Sequence, residues 1–206
     1  MTTLPNASRL ILPANAGRPL LWLARTAITS VLHFVDPPAH ETYAGYEWLD
    51  DPGATFVTLR IAGRLRGCIG TLIPYQSLEL DVQHNALSAA FEDPRFPPVT
   101  TAELSLIEIE VSVLSTPEPL YFSSRAEALS LLQPGVDGVV LRVPGGRATF
   151  LPQVWDELPE PEEFMRHLMQ KAGLAPTYWS DDVRLERYTV TAYSEESGTE
   201  PAGSWS

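Results

Sequence analysis

The spacing of apolar positions changes several times along this chain, and each change marks an element. Leu20, Ala24, Ala27, Ile28 and Val31 recur at helical spacing behind Pro19, a residue suited to a helix start. This predicts a helix to about His33. Phe56-Val57-Thr58-Leu59-Arg60-Ile61 is rich in β-formers and reads as a strand. Ala62-Gly63 supplies a turn, and Leu65 to Leu72 returns as the hairpin partner. Ser77 is placed to cap a helix running to about Phe91, with Leu78, Val82, Ala86, Ala89 and Ala90 on one side. Asp93-Pro94 stops it, because the residue before a proline avoids helical geometry. The strictest alternation runs from Leu106 to Leu114, with Ile107, Ile109, Val111 and Val113 against Glu108, Glu110 and Ser112.

Further on, Ser124 and Glu127 have capping-box spacing ahead of a short helix to about Leu132. Gly138 to Val143 and Arg147 to Leu151 flank Pro144-Gly145-Gly146 and predict a second hairpin. Glu162 to Ala172 reads as a helix with Gly173 placed to cap its end, and Arg184 to Ala192 as a last strand. Residues 1 to 18 read as a loose arm, 36 to 53 as a long loop, and 194 to 206 as a disordered tail. Hairpins mixed with helices, without a βαβ rhythm, predict an α+β fold with a mainly antiparallel sheet flanked by helices.

Composition narrows the function classes. A chain of 206 residues, 44% of them hydrophobic, can bury a core without disulfides or metals. Its 26 acidic and 14 basic residues give a net charge of −12, which disfavours long nucleic acids as partners. Cys68 is the one cysteine, so no intramolecular disulfide forms. His33, His40, His84 and His167 have no metal-ligand spacing, and the chain has no phosphate loop, dinucleotide fingerprint or Gly-x-Ser-x-Gly elbow. No metal and no cofactor are therefore expected. The apolar runs fall well short of the roughly 20 residues a membrane helix needs, and the N-terminus lacks a signal layout. The expectation is a cytoplasmic protein without a membrane partner.

Candidate chemistry centres on Leu65-Arg66-Gly67-Cys68-Ile69-Gly70-Thr71. Two glycines inside a strand suggest a bulge or the close approach of another backbone or ligand. In a regular strand Arg66 and Cys68 share a face, where a guanidinium favours thiolate over thiol and makes Cys68 a candidate nucleophile. The same residues also describe a small buried cysteine among packing glycines. Asp93-Pro94-Arg95-Phe96-Pro97-Pro98 is a rigid loop whose Arg95 is suited either to an anion or to pairing with Asp93 or Glu92. Glu108 and Glu110 share a strand face, as an acid/base pair or as the wet side of a half-buried strand. Whether His84 approaches Cys68 is open.

Several of these segments together resemble the AMMECR domain. Leu65 to Thr71 resembles its signature. Ala89 to Pro98, Leu104 to Leu114 with Glu110, Gly135-Val136-Asp137-Gly138-Val139, Leu151-Pro152-Gln153-Val154 and Glu163 to Leu174 follow in the family's order, covering about residues 20 to 193. Gln170 departs from the pattern, standing where the family often carries a cysteine. The resemblance implies a larger subdomain holding both termini, a smaller inserted subdomain and a cleft between them, all within residues 19–193. It implies a working site at the signature, with Cys68 and Arg66 as candidate catalytic residues. Leu65, Gly67, Ile69, Gly70, Thr71, Asp93, Arg95, Phe96 and Glu110 would be binding or signature residues. It also implies the company of Memo-type and radical-SAM proteins in an AmmeMemoRadiSam system. The alternative is a stand-alone cysteine-dependent enzyme acting on a small anionic substrate in that cleft, and a small molecule or peptide is the expected ligand class.

Overall fold

The computed structural model describes residues 10–35 and 45–195. These fall into two compact units, one running to Leu114 and resuming at Thr191, the other spanning Ser115–Val190. Both combine antiparallel strand pairing with packed helices, giving the α+β class read from the sequence.

In the first unit the central strands are β2 (Thr55–Ile61), β3 (Arg64–Gly70) and β5 (Ile107–Leu114). With the later strand β10 (Val190–Ser194) they form a sheet ordered β10-β5-β2-β3, which places β3 at an edge. The hairpin between β2 and β3 turns on Ala62 and Gly63, both at positive φ, the geometry a two-residue hairpin loop requires. Val57, Leu59, Ile109, Val111 and Val113 turn one sheet face inward. Against it lie α1 (Gly17–His33), through Leu20, Leu23 and Ile28, and α2 (Leu78–Phe91), through Leu78, Val82 and Ala86. Ser77 caps α2, its hydroxyl accepting from the Leu80 N–H. Two short strands, β1 (Pro52–Gly53) and β4 (Gln76–Ser77), pair beside the helix start.

The second unit holds β6 (Glu118–Leu120), β7 (Gly138–Val143), β8 (Gly146–Phe150) and β9 (Arg184–Tyr188), in the order β6-β9-β7-β8. α3 (Arg125–Leu131) and α4 (Pro161–Lys171) belong to it as well. Val139, Leu141 and Leu185 pack with Phe164, Met165 and Leu168 of α4. The Trp155 ring stacks on Phe164 at 3.7 Å while its Nε1 donates to the Asp137 carbonyl at 2.7 Å.

Three expectations are corrected. The alternating segment Arg184 to Ala192 is two strands, since β9 and β10 join different sheets and the chain changes sheet at Thr189. The Thr189 backbone is held there by Ser115, whose N–H donates to the Thr189 carbonyl and whose hydroxyl accepts from the Thr189 N–H. The strand at Leu65 to Leu72 ends at Gly70. The polar tail does not begin at Ser194: Ser194 closes β10, and Glu195 donates its N–H to the Ile109 carbonyl and pairs with Arg25. Residues 196–206 of that tail, 1–9 of the expected arm and 36–44 of the expected loop, with His40, lie outside the described residues. Among the described residues no helix is long and apolar enough to cross a membrane.

Candidate functional site

Gly67 and Gly70 let β3 lie where it does. A Cβ at Gly67 would collide with the Ala89 carbonyl oxygen of α2, and one at Gly70 with the Phe56 ring. The strand is also irregular. Leu59 pairs with Gly67 while Arg60 pairs with Leu65, so Arg66 is the extra residue of a β-bulge. The regular alternation that would set Arg66 and Cys68 side by side is broken there, and the two side chains are held by different partners.

Cys68 is half-buried, and its Sγ accepts from the Thr58 hydroxyl at 3.3 Å. Thr58 stands opposite Cys68 on one side and Glu110 on the other, so the three form a row across β3, β2 and β5. Arg66 turns to Glu103. Nε and Nη2 donate to the carboxylate at 2.8 and 3.2 Å, and the Arg66 side chain is only 12% exposed. Its Nη1 is buried with no hydrogen-bond partner among the described residues. Glu103 also accepts from the Thr100 N–H and hydroxyl, both at 2.9 Å. The Arg66 guanidinium, then the Thr100 backbone, pull its pKa down to about 2. The Phe96 ring centre is 6.0 Å from the Arg66 guanidinium and 5.6 Å from that of Arg95.

The loop after α2 reaches β3 through Asp93. Its buried carboxylate accepts from the Cys68 N–H at 2.9 Å and from Arg95 Nε and Nη2 at 2.9 and 2.6 Å. Arg95 Nη2 donates in turn to the Cys68 carbonyl at 3.0 Å. The Arg95 hydrogen bonds hold the Asp93 carboxyl well below the usual carboxylate range against the opposing effect of burial, and Asp93 raises Arg95. Of the two roles read for Arg95, pairing with Asp93 is the one made.

The remaining signature residues are structural neighbours. Ile69 packs on the core, Leu65 is exposed at the edge, and Thr71 donates its N–H to the Thr55 carbonyl at 2.8 Å. The Thr71 hydroxyl accepts from Asn85 Nδ2 at 3.1 Å. Behind it lies a buried polar cluster that the sequence reading passed over. Asp81 Oδ2 accepts from the Thr55 N–H and hydroxyl, both at 2.8 Å, and from Asn85 at 3.0 Å. The signal was available: Asp81 and Asn85 stand four apart on the same helix side as Leu78, Val82 and Ala89. Thr58 and Glu103 were also passed over, because nothing local to either marks its distant partner. His84 is exposed on α2. Among the described residues no three His, Cys, Asp or Glu side chains converge as metal ligands would.

Known proteins share this arrangement of segments. The family model described as AMMECR1 matches residues 21–193. A protein of Thermofilum pendens is 37% identical over 207 aligned positions, covering 93% of this chain and 94% of its own. One from Methanothermobacter thermautotrophicus is 43% identical over 147, covering 68% of this chain and 74% of its own. The crystal structure of the uncharacterized protein PH0010 from Pyrococcus horikoshii superposes with a TM-score of 0.75 at 32% identity, covering 90% of this chain and 94% of that one.

Proposed function

Because the chain belongs to the AMMECR1 family, we propose that it is the recognition component of an AmmeMemoRadiSam-type modification system. Its β3 face would be offered to a Memo-type protein, a radical-SAM protein or a peptide they act on. The observation that carries this reading is the Arg66 guanidinium. Its Nε and Nη2 are committed to Glu103, and Nη1 is buried without a partner among the described residues, beside Phe96. A buried cationic donor left unmatched is costly, and an oxygen acceptor brought by a partner is the group that would satisfy it.

The nearby carboxylates support binding over acid/base chemistry. A general base works best with a pKa near the working pH. Asp93 and Glu103 are both committed to arginines and held far below that range. In a pull-down at micromolar concentration, Memo-type or radical-SAM proteins are expected to co-purify with the chain. Arg66→Lys, which keeps the charge but loses the planar fork, should weaken that complex about tenfold while the protein stays folded. Failure of the wild-type chain to form any such complex would overturn the reading.

The Thr58 hydroxyl on Sγ, at a half-buried thiol, favours a second reading. This is a cysteine-dependent enzyme acting on a small anionic substrate. Its turnover should vanish in Cys68→Ser at an unchanged melting temperature, and equal turnover in that variant removes it.

A further inference from the structure

An edge strand presents unpaired N–H and C=O groups to any extended chain that meets it, and folded proteins close such edges with charge, proline or a covering segment. β3 is such an edge. In an antiparallel pair the N–H and C=O of one residue point to the same side, so the two outward groups of Cys68 are among those a new strand would bond. Both are already taken. The Cys68 N–H donates to Asp93 Oδ2 at 2.9 Å, and the Cys68 carbonyl accepts from Arg95 Nη2 at 3.0 Å. One acceptor and one donor, placed together against one residue, are what a neighbouring strand supplies.

We propose that Asp93 and Arg95 are a built-in substitute for a neighbouring strand, closing the β3 edge to backbone pairing with a second copy of this chain.

The construction is stiff. Asp93 is also bonded by the Arg95 N–H at 3.1 Å, and Pro94, Pro97 and Pro98 restrict the loop that carries both residues. Asp93 is 3% exposed, whereas the Arg95 side chain is 52% exposed and puts charge on the outer rim. A competing strand would have to displace Arg95 and leave Asp93 buried without its cation, which is strongly unfavourable. The strand needs this help because of its own sequence. Gly67 and Gly70, fixed by close packing, lie one and two positions from Cys68 and have no side chains that would screen the backbone. The inference is independent of any Memo-type or radical-SAM partner, since it concerns this chain alone.

Amide hydrogen exchange of the wild-type protein is the direct test. Cys68 should be protected about as well as Ile69, although its N–H points away from β2. Exchange of Cys68 at the free-chain rate beside a protected Ile69 would overturn the proposal. In Arg95→Ala, Cys68 protection should fall by about tenfold or more. Light scattering should then show a mass that rises with concentration above the wild-type value. Adding Cys68→Pro to Arg95→Ala deletes the outward N–H at an edge position where proline is tolerated, and should abolish that rise. An Arg95→Ala protein with wild-type exchange and wild-type mass would also overturn it.

Discussion

Glu103 carries more of the β3 neighbourhood than its place in a short turn suggests. Its carboxylate receives Arg66 Nε and Nη2 together with the Thr100 N–H and hydroxyl, and its pKa is drawn from 4.5 to about 2. A carboxyl whose folded pKa lies below its unfolded value stabilises the fold above the unfolded pKa. That contribution disappears as pH falls toward the folded one. The window here therefore runs from about pH 4.5 down to about pH 2. At pH 7 the charge on Glu103 should contribute about 1–2 kcal/mol, reduced by solvent screening at a side chain 27% exposed. Denaturant titrations of wild type and Glu103→Gln should differ by that amount at pH 7 and converge near pH 2. Asp93 titrates in the same direction and lower still, so the difference between the two proteins, not the wild-type curve, isolates Glu103. A constant offset across this window would remove the assignment. At this scale the sequence singled out Arg66, Cys68, Asp93 and Arg95 from their own local motifs. It did not name their partners, because Glu103 lies 37 positions from Arg66 and Thr58 lies across a hairpin.

Edges recur at the scale of elements. β8 ends the second sheet, and the Thr149 carbonyl on it accepts from Lys171 Nζ at 2.9 Å, with the ammonium 5.0 Å from the centre of the Phe150 ring. Lys171 closes α4, so a helix end and a strand edge are tied by one charged donor. Lys171→Met keeps the apolar stem and removes the donor. It should cost about 1–2 kcal/mol in urea unfolding, from a charge-assisted hydrogen bond and a cation–π contact. Unchanged stability would show the contact to be idle. The elements themselves were legible where their signal is local. β-forming residues mark β2, alternation marks β5, helical spacing marks α1 and α2, and Ser77 and Gly173 mark helix ends. Other features had no local signal. β1 and β4 are two residues each and exist only because Pro52 pairs with Ser77 and Gly53 with Gln76, far apart in the chain. The period-2 pattern runs through Thr189 without interruption, so nothing in it reports that Tyr188 and Val190 join different sheets. The bulge at Arg66 comes from the pairing register with β2, which no single strand encodes.

For the molecule as a whole, the deciding quantity is where its positive charge goes. A net charge of −12 repels polyanions at long range, but a local cluster of arginines would still bind one if its members were free. Here six of the arginines are answered from within. Arg25 pairs with Glu195, Arg66 with Glu103, Arg95 with Asp93, Arg125 with Glu162, Arg142 with Glu186 and Arg166 with Glu163. Six of the 14 basic residues are thus neutralised by carboxylates at contact distance. To release counterions from a duplex, a protein must bring several unpaired cations to consecutive phosphates, and each phosphate so neutralised adds to the salt dependence of binding. Freeing these arginines would cost their existing pairs. The two nearest the signature are also tied to buried or half-buried groups. The chain should therefore not retard a short DNA duplex at about 50 mM salt, even at protein concentrations on the order of 10 µM, where nonspecific DNA-binding proteins begin to bind. Binding that weakened steeply with added salt would contradict this, and would mean that cations outside these six pairs form a continuous phosphate track.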